Sequence, residues 1–222
     1  MTRALYIAVE GPIGAGKTTL THRLAERLGG RVVLEIVEEN PFLALFYEDR
    51  DRYAFQTQLF FLMSRFKQQQ ELVQSDLFAP NTLADYHLLK DRIFAQLTLE
   101  DAELALYERV YQSLESQVLQ PDVMVYLYAP IDVLLGRIAK RGRPFEEDFD
   151  STYLTDLCLA YQKFYAHYDK TPLLRLDNSN LNYADGPEAD AILDKIVADI
   201  LRLADRQSGA VTEADALGVH DV

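Results

Sequence analysis

ALYIAVEGPIGAGKTTLTHRLAERL, residues 4–28, carries the reading that decides the fold. The run ALYIAVE is short, apolar and rich in β-branched and aromatic residues, as a buried strand requires. The next residues fit the pattern G-x-x-x-x-G-K-[ST] from Gly11 to Thr18, and an amphipathic helix pattern follows at once. Gly11, Gly14 and Gly16 let the backbone curl so that successive N–H groups face a phosphate, and the helix N-terminus adds partial positive charge. Lys17 supplies a mobile cation for the β- and γ-phosphates, and the Thr18 hydroxyl can coordinate Mg²⁺. Glycine turns precede helices without any function, but here strand, loop, Lys-Thr pair and helix coincide. The loop residues Gly11, Gly14, Ala15, Gly16, Lys17, Thr18 and Thr19 are therefore expected to bind a nucleoside triphosphate, ATP, with Mg²⁺.

Outward from this motif, short apolar runs recur at 31–37, 82–86, 122–128 and 172–176, which with 4–10 predict five strands. Helical periodicity covers 17–28, 52–75, 99–119, 131–140, 151–168 and 187–204. This alternation predicts an α/β fold of the P-loop kinase type, a five-stranded parallel sheet with helices on both faces. The stretches 41–75 and 93–119 exceed what a crossover needs and are expected to build a substrate cleft and a dimer face. No linker or repeat divides the chain, so residues 1–204 are expected to form a single domain. From 205 to 222 the periodicity fades into small and acidic residues, the pattern of a disordered tail.

Composition narrows the function classes. With 49% hydrophobic and 26% charged residues, the chain has ordinary globular composition. A formal net charge of −13 argues against a nucleic acid or a membrane surface as main partner, since both are polyanionic. Cys158 is the single cysteine, which excludes an intrachain disulfide and points to a reducing compartment. The strand begins too close to Met1 to leave room for a secretory signal, and no apolar run reaches the ~20 residues that span a bilayer. The expectation is a cytoplasmic protein.

Two further features belong with a bound triphosphate. Asp85 ends the third strand at the sheet edge where ligands of open α/β sheets collect, and an acid there can hold Mg²⁺. Later, RIAKRGRPFEED concentrates Arg137, Lys140, Arg141 and Arg143 in an acidic chain. Arg137 and Arg141 share a helix face, and Gly142 and Pro144 end that helix, so the segment at about 137–150 is expected to form an Arg-rich lid over the phosphates.

The segments GPIGAGKTT (11–19), VLEIVEENPFLALFYED (33–49), RYAFQTQLFFLMSRFKQ (52–68), DYHLLKDRIFA (85–95) and RIAKRGRPFEED (137–148) resemble the deoxynucleoside kinase family, in particular its bacterial deoxyadenosine/deoxyguanosine kinases. They span nearly the whole chain in the family's order. The resemblance implies transfer of the γ-phosphoryl group to the 5′-hydroxyl of a deoxynucleoside, a purine one in the bacterial branch, and a homodimer packed through helices such as 52–75 and 99–119. It implies that Glu35 is the general base for the 5′-hydroxyl, with Lys17, Arg141 and Arg143 serving the transferring group. It further implies that Tyr47 and Glu146 hold the 3′-hydroxyl and that Gln58 and Asp91 read the base. A carboxylate at 91 accepts hydrogen bonds only, which favours a base edge with an amino donor and disfavours thymine.

One departure from the family stands out. Where members carry Glu/Asp-Arg-Ser after the third strand, this chain has Asp85, Tyr86 and His87. Tyr86, expected beside the substrate, supplies no cation, so Arg143 or Lys90 is expected to take over part of the arginine's task. Two alternatives are a nucleoside monophosphate kinase of the thymidylate kinase type and a regulatory triphosphate-binding module. The acids at 33–49 speak against the first, which needs a basic group for the acceptor's phosphate. The ordered acceptor set speaks against the second.

Overall fold

The computed structural model describes residues 3–74, 81–143, 146 and 150–216, with side chains omitted for 73, 74 and 207–216. In chain order the elements are β1 (Tyr6–Glu10), α1 (Lys17–Leu28), β2 (Gly30–Val33), α2 (Leu43–Glu48), α3 (Arg50–Gln74), β3 (Asn81–Ala84), α4 (Leu89–Thr98), α5 (Asp101–Glu115), β4 (Val123–Tyr128), α6 (Ile131–Arg141), α7 (Ser151–Ala166), β5 (Leu173–Asp177) and α8 (Ala189–Ala216). The strands form one sheet in the order β2-β3-β1-β4-β5, every neighbouring pair parallel. All five expected strands are present.

The period-2 alternation of the strands sorts the core onto two faces. Ile7 and Val9 of β1 and Val123, Val125 and Leu127 of β4 point to one side, where Leu20 and Leu24 of α1, Leu134 of α6 and Leu193 and Ile196 of α8 cover them. Ala8, Met124 and Tyr126 point to the other, under Leu89 and Ile93 of α4 and Leu157, Tyr161 and Tyr165 of α7. Each buried aliphatic side chain here contributes about 1.5–3 kcal/mol. A third cluster, with Phe46, Leu62, Phe66, Leu88, Tyr107 and Tyr111, joins α2, α3, α4 and α5 beyond the sheet. This is the helical insertion expected from the long stretches at 41–75 and 93–119.

The differences are local. Residues 89–98 form a helix that the periodicity reading did not separate, and the segment expected at 99–119 is helical only from Asp101 to Glu115. The break falls at Leu99 and Glu100, both extended, and Asp101 has a φ of 28°, so the backbone turns sharply between the two helices. Pairing of β2 stops at Val33, which puts Glu35 just outside the sheet. The helical backbone of α8 continues to Ala216, past the boundary expected at 204; residues 217–222 lie outside the described residues.

Because β1 is flanked by β3 and β4, the chain leaves it in opposite directions, and the carboxyl edge opens into a crevice at that switch point. The ends of β1, β2 and β3 all deliver loops to this crevice.

Candidate active site

The phosphate loop curls because Gly11, Gly14 and Gly16 occupy positive-φ conformations open to glycine. Gly14 has φ 81°, and a Cβ there would lie 2.8 Å from the Leu134 carbonyl oxygen; Gly16 has φ 89° and caps α1. No side chain caps α1 and no acid stands in its first turn, so the unpaired N–H groups are free for an anion. Ala15 is buried, and its carbonyl accepts from Asn178 Nδ2 at 2.6 Å, which ties the loop to the end of β5. Lys17 Nζ donates to the carbonyls of Gly11 (2.8 Å) and Pro12 (3.0 Å). Burial, aided by the charge of Lys90, lowers its pKa to about 8.

Two cavities open on this edge. The larger, about 760 Å³, is lined by the phosphate loop including Thr18 and Thr19, by Asp85, by Arg137 of α6 and by the 178–185 segment. The smaller, about 90 Å³, is lined by Tyr47, Gln58, Phe61, Phe94, Glu146 and their neighbours. Lys17, Glu35, Val37, Arg141 and Arg143 line both. The geometry thus brings the loop lysine, the expected base and two of the expected lid arginines to one junction between the larger space, on the donor side of the expected transfer, and the smaller, on its acceptor side.

Thr18 Oγ1 donates to Asp85 Oδ2 at 2.6 Å, and Asp85 Oδ1 accepts from the Glu35 backbone N–H at 2.8 Å. A hydroxyl and one carboxylate fit Mg²⁺, which retains waters and takes phosphate oxygens rather than an all-protein cage. Among the described residues no group of three His, Cys, Asp or Glu side chains could hold a metal without such help.

Glu35 lies in a network the sequence reading did not foresee. Arg65 of α3 donates from Nε (2.9 Å) and Nη2 to Glu35 Oε1, and Lys90 of α4 donates to Oε2 at 2.8 Å. Burial pushes the Glu35 carboxyl up, but Arg65 and Lys90 together outweigh it and hold it well below the usual carboxylate range. Arg65 Nη1 also donates to Asp91 Oδ1. Asp91 is fully buried and does not line either cavity; its pKa is pushed up to about 6 by burial, against the charge of Arg65. Gln58 and Arg65 therefore line the smaller cavity, with Asp91 behind the arginine. Arg65 follows Gln58 by seven residues, two helical turns, which puts both on one face of α3. That spacing was the available signal.

Tyr86 differs from expectation. It is fully buried, lines neither cavity, and its hydroxyl has no hydrogen-bond partner among the described residues. The cations that meet Glu35 are Lys90, as expected, and Arg65; Arg143 instead pairs with Glu38 at 2.9 Å. His87 is buried, with Nε2 3.0 Å from the Leu119 carbonyl, and burial lowers its pKa to about 4, so it packs as a neutral ring.

At the lid, Arg141 grips Glu146 with Nε (3.2 Å) and Nη2 (2.6 and 2.8 Å). Glu146 and Tyr47 share the acceptor cavity, and burial together with the Glu146 charge raises the Tyr47 phenol above its ordinary value. Arg137 Nη2 donates to the Asn178 carbonyl at 2.7 Å, on the donor side. Residues 144, 145 and 147–149 of the expected lid, Pro144 included, lie outside the described residues.

Comparison with known proteins gives a consistent picture. A family model described as deoxynucleoside kinase matches residues 7–202. A deoxyguanosine kinase of Bacillus subtilis is 42% identical over 165 residues, 73% of this chain and 79% of that protein. A deoxyadenosine kinase of Lactobacillus acidophilus is 30% identical over 210 residues, 88% of this chain and 96% of that protein. The structure of a deoxyadenosine kinase from M. mycoides with bound dCTP superposes with a TM-score of 0.76 at 27% identity, covering 89% of this chain and 100% of the other.

Proposed function

The chain belongs to the deoxynucleoside kinase family, and on that premise we propose that it transfers the γ-phosphoryl group of ATP to the 5′-hydroxyl of a purine deoxynucleoside, deoxyguanosine ahead of deoxyadenosine. The observation that carries this reading is the meeting of two cavities at Lys17 and Glu35. A phosphoryl group held by the loop on one side and a hydroxyl held on the other come together only there.

In the reaction, Lys17 exchanges the Gly11 and Pro12 carbonyls for the β- and γ-phosphate oxygens. Thr18 and Asp85 would hold Mg²⁺ beside the phosphates, and the ion would supply neutralisation of their charge. The 5′-oxygen bonds to the γ-phosphorus as the bond to the ADP oxygen breaks, and the hydroxyl proton passes to Glu35. Arg141 and Arg143 supply donors to the equatorial oxygens and help exclude water. Tyr47 and Glu146 orient the 3′-hydroxyl. Lys90 fixes the Glu35 carboxylate, the service an arginine at position 86 would have given.

The base preference rests on Gln58 and Arg65. Arg65 donates only, so it suits the O6 and N7 acceptors of guanine, whereas the N6 amino group of adenine would set donor against donor. This replaces the argument from an exposed Asp91 carboxylate, and with it the stated reason for excluding thymine. The similarity to deoxyguanosine kinases points the same way.

A homodimer is part of the proposal, supported by exposed Met63 on α3 and Leu106 on α5. Cytoplasmic residence is proposed from the lone half-buried Cys158, and among the described residues no helix is long and apolar enough to cross a membrane. The deciding experiment is a panel of deoxynucleosides, ribonucleosides and deoxynucleoside monophosphates assayed with ATP and Mg²⁺. Deoxyguanosine should give the highest kcat/KM. Preference for a monophosphate acceptor would overturn the reading.

A further inference from the structure

Arg65 is held by two acids at once. It takes Glu35 with Nε and Nη2 and Asp91 with Nη1, while its guanidinium carbon lies 4.4 Å from the centre of the Phe61 ring in the wall of the acceptor cavity. With Lys90 on the other oxygen, both Glu35 oxygens are engaged by cations. A carboxylate so engaged is a poor proton acceptor.

A second arrangement is built into the same cluster. Asp91 Oδ2 is buried and has no hydrogen-bond partner among the described residues, although Oδ1 is bound to Arg65. Buried carboxylate oxygens ordinarily have partners, so Asp91 can accept a second N–H from the same guanidinium in a two-pronged pair. Such a shift would release Glu35 Oε1. A nucleobase seated beside Gln58 and Phe61 supplies the bias, because its ring-nitrogen and carbonyl acceptors compete with Glu35 for the N–H groups of Arg65, which lines the same cavity, while Asp91 keeps its hold from behind.

We propose that Arg65 is a positioning residue that keeps Glu35 engaged while the acceptor cavity is empty and releases it when a nucleobase takes the N–H groups that held Glu35, with Asp91 retaining the guanidinium. The consequence is suppression of ATP hydrolysis. Without the restraint, Glu35 could take a proton from water as the water oxygen bonds to the γ-phosphorus, the bond to the ADP oxygen breaks, and ADP and phosphate leave. With it, the base acts only when the acceptor present is a nucleoside. This inference rests on the kinase reading above.

The test is ATP hydrolysis with Mg²⁺ and no nucleoside, in the full chain and in Arg65→Gln. The variant should hydrolyse ATP at least about fivefold faster than the parent, and adding Glu35→Gln should abolish the gain. The parent should also turn over 1,2-dideoxyribose, which lacks a base, with a lower kcat than deoxyguanosine even at saturation, and this kcat gap should narrow in Arg65→Gln. Arg65→Lys, which keeps the charge and loses the two-pronged grip, should give a smaller rise and serves if Arg65→Gln fails to fold. Unchanged or slower hydrolysis in a folded variant, or an unchanged kcat gap, would overturn the proposal. Failure of the parent to phosphorylate any deoxynucleoside would instead strike the kinase reading itself.

Discussion

The Thr18 hydroxyl donates to Asp85 Oδ2 across 2.6 Å, joining the start of α1 to the end of β3 at the mouth of the donor cavity. Asp85 also receives the Glu35 backbone N–H. An amide at 85 keeps an oxygen for that N–H and loses the charge a divalent ion needs. Asp85→Asn should therefore raise the Mg²⁺ concentration for half-maximal activity about tenfold, roughly 1.4 kcal/mol, with little change in nucleotide binding. An unchanged Mg²⁺ titration would make Asp85 a structural turn.

Lys17 is lowered to about 8, by burial first and by Lys90 second. Its cation is lost as pH rises through that value, so kcat/KM for ATP should fall above about pH 8. Bound phosphates favour the charged ammonium, and kcat should hold to higher pH. Lys17→Arg stays charged throughout and should lose the falling limb, even at a lower rate. Persistence of the limb in that variant would assign it to another group.

The Arg141–Glu146 grip links the lid to the acceptor cavity. Arg141→Ala should lower kcat more than it raises KM for ATP, because an arginine on the equatorial oxygens acts chiefly in the transition state. It should also weaken the nucleoside's KM by freeing Glu146. Equal changes in kcat and in KM for ATP would point to ground-state binding alone.

Glu10, fully buried at the end of β1, accepts from the backbone N–H groups of His87 (2.6 Å) and Gly11 (3.3 Å) and from the Tyr161 hydroxyl (3.4 Å). Burial raises its pKa to about 7 against the charges of Lys90 and Lys17. The native state therefore binds a proton that the unfolded chain releases near 4.5, and this contribution to stability falls as pH rises between those values. Urea unfolding at pH 5 and pH 8 should show the fall, on the order of 3 kcal/mol at most. Glu10→Gln should remove that part of the slope; parallel slopes in parent and variant would exclude Glu10 as its source.

The strands and the phosphate loop were legible because their signals are local. Residues 4–28 contain the alternation, the glycines and the helix start within one unbroken stretch, and the backbone follows them nearly residue by residue. Glu35, Tyr47, Gln58 and Glu146 also line the acceptor cavity, but they were found through resemblance to a family, since no spacing in the chain marks them as partners; Arg141 and Arg143, which line it too, were found from the basic cluster at the end of α6. Arg65 was missed within a helix already singled out, and Asp91 was given a face it does not show.

The sequence by itself determined the sheet and the glycine loop that opens α1, because short-range patterns in backbone geometry and polarity encode them, while the reaction class came from resemblance to a family. Which charges surround the base was decided by tertiary structure alone. Arg65, Lys90 and Asp91 come from two helices packed beside the end of β2, and Glu35 meets its cations across 30 and 55 residues of chain. The same packing turns Tyr86 inward and Lys90, four residues further on in α4, toward the cleft. Such pairing depends on how helices dock, through buried contacts that have no period in the sequence.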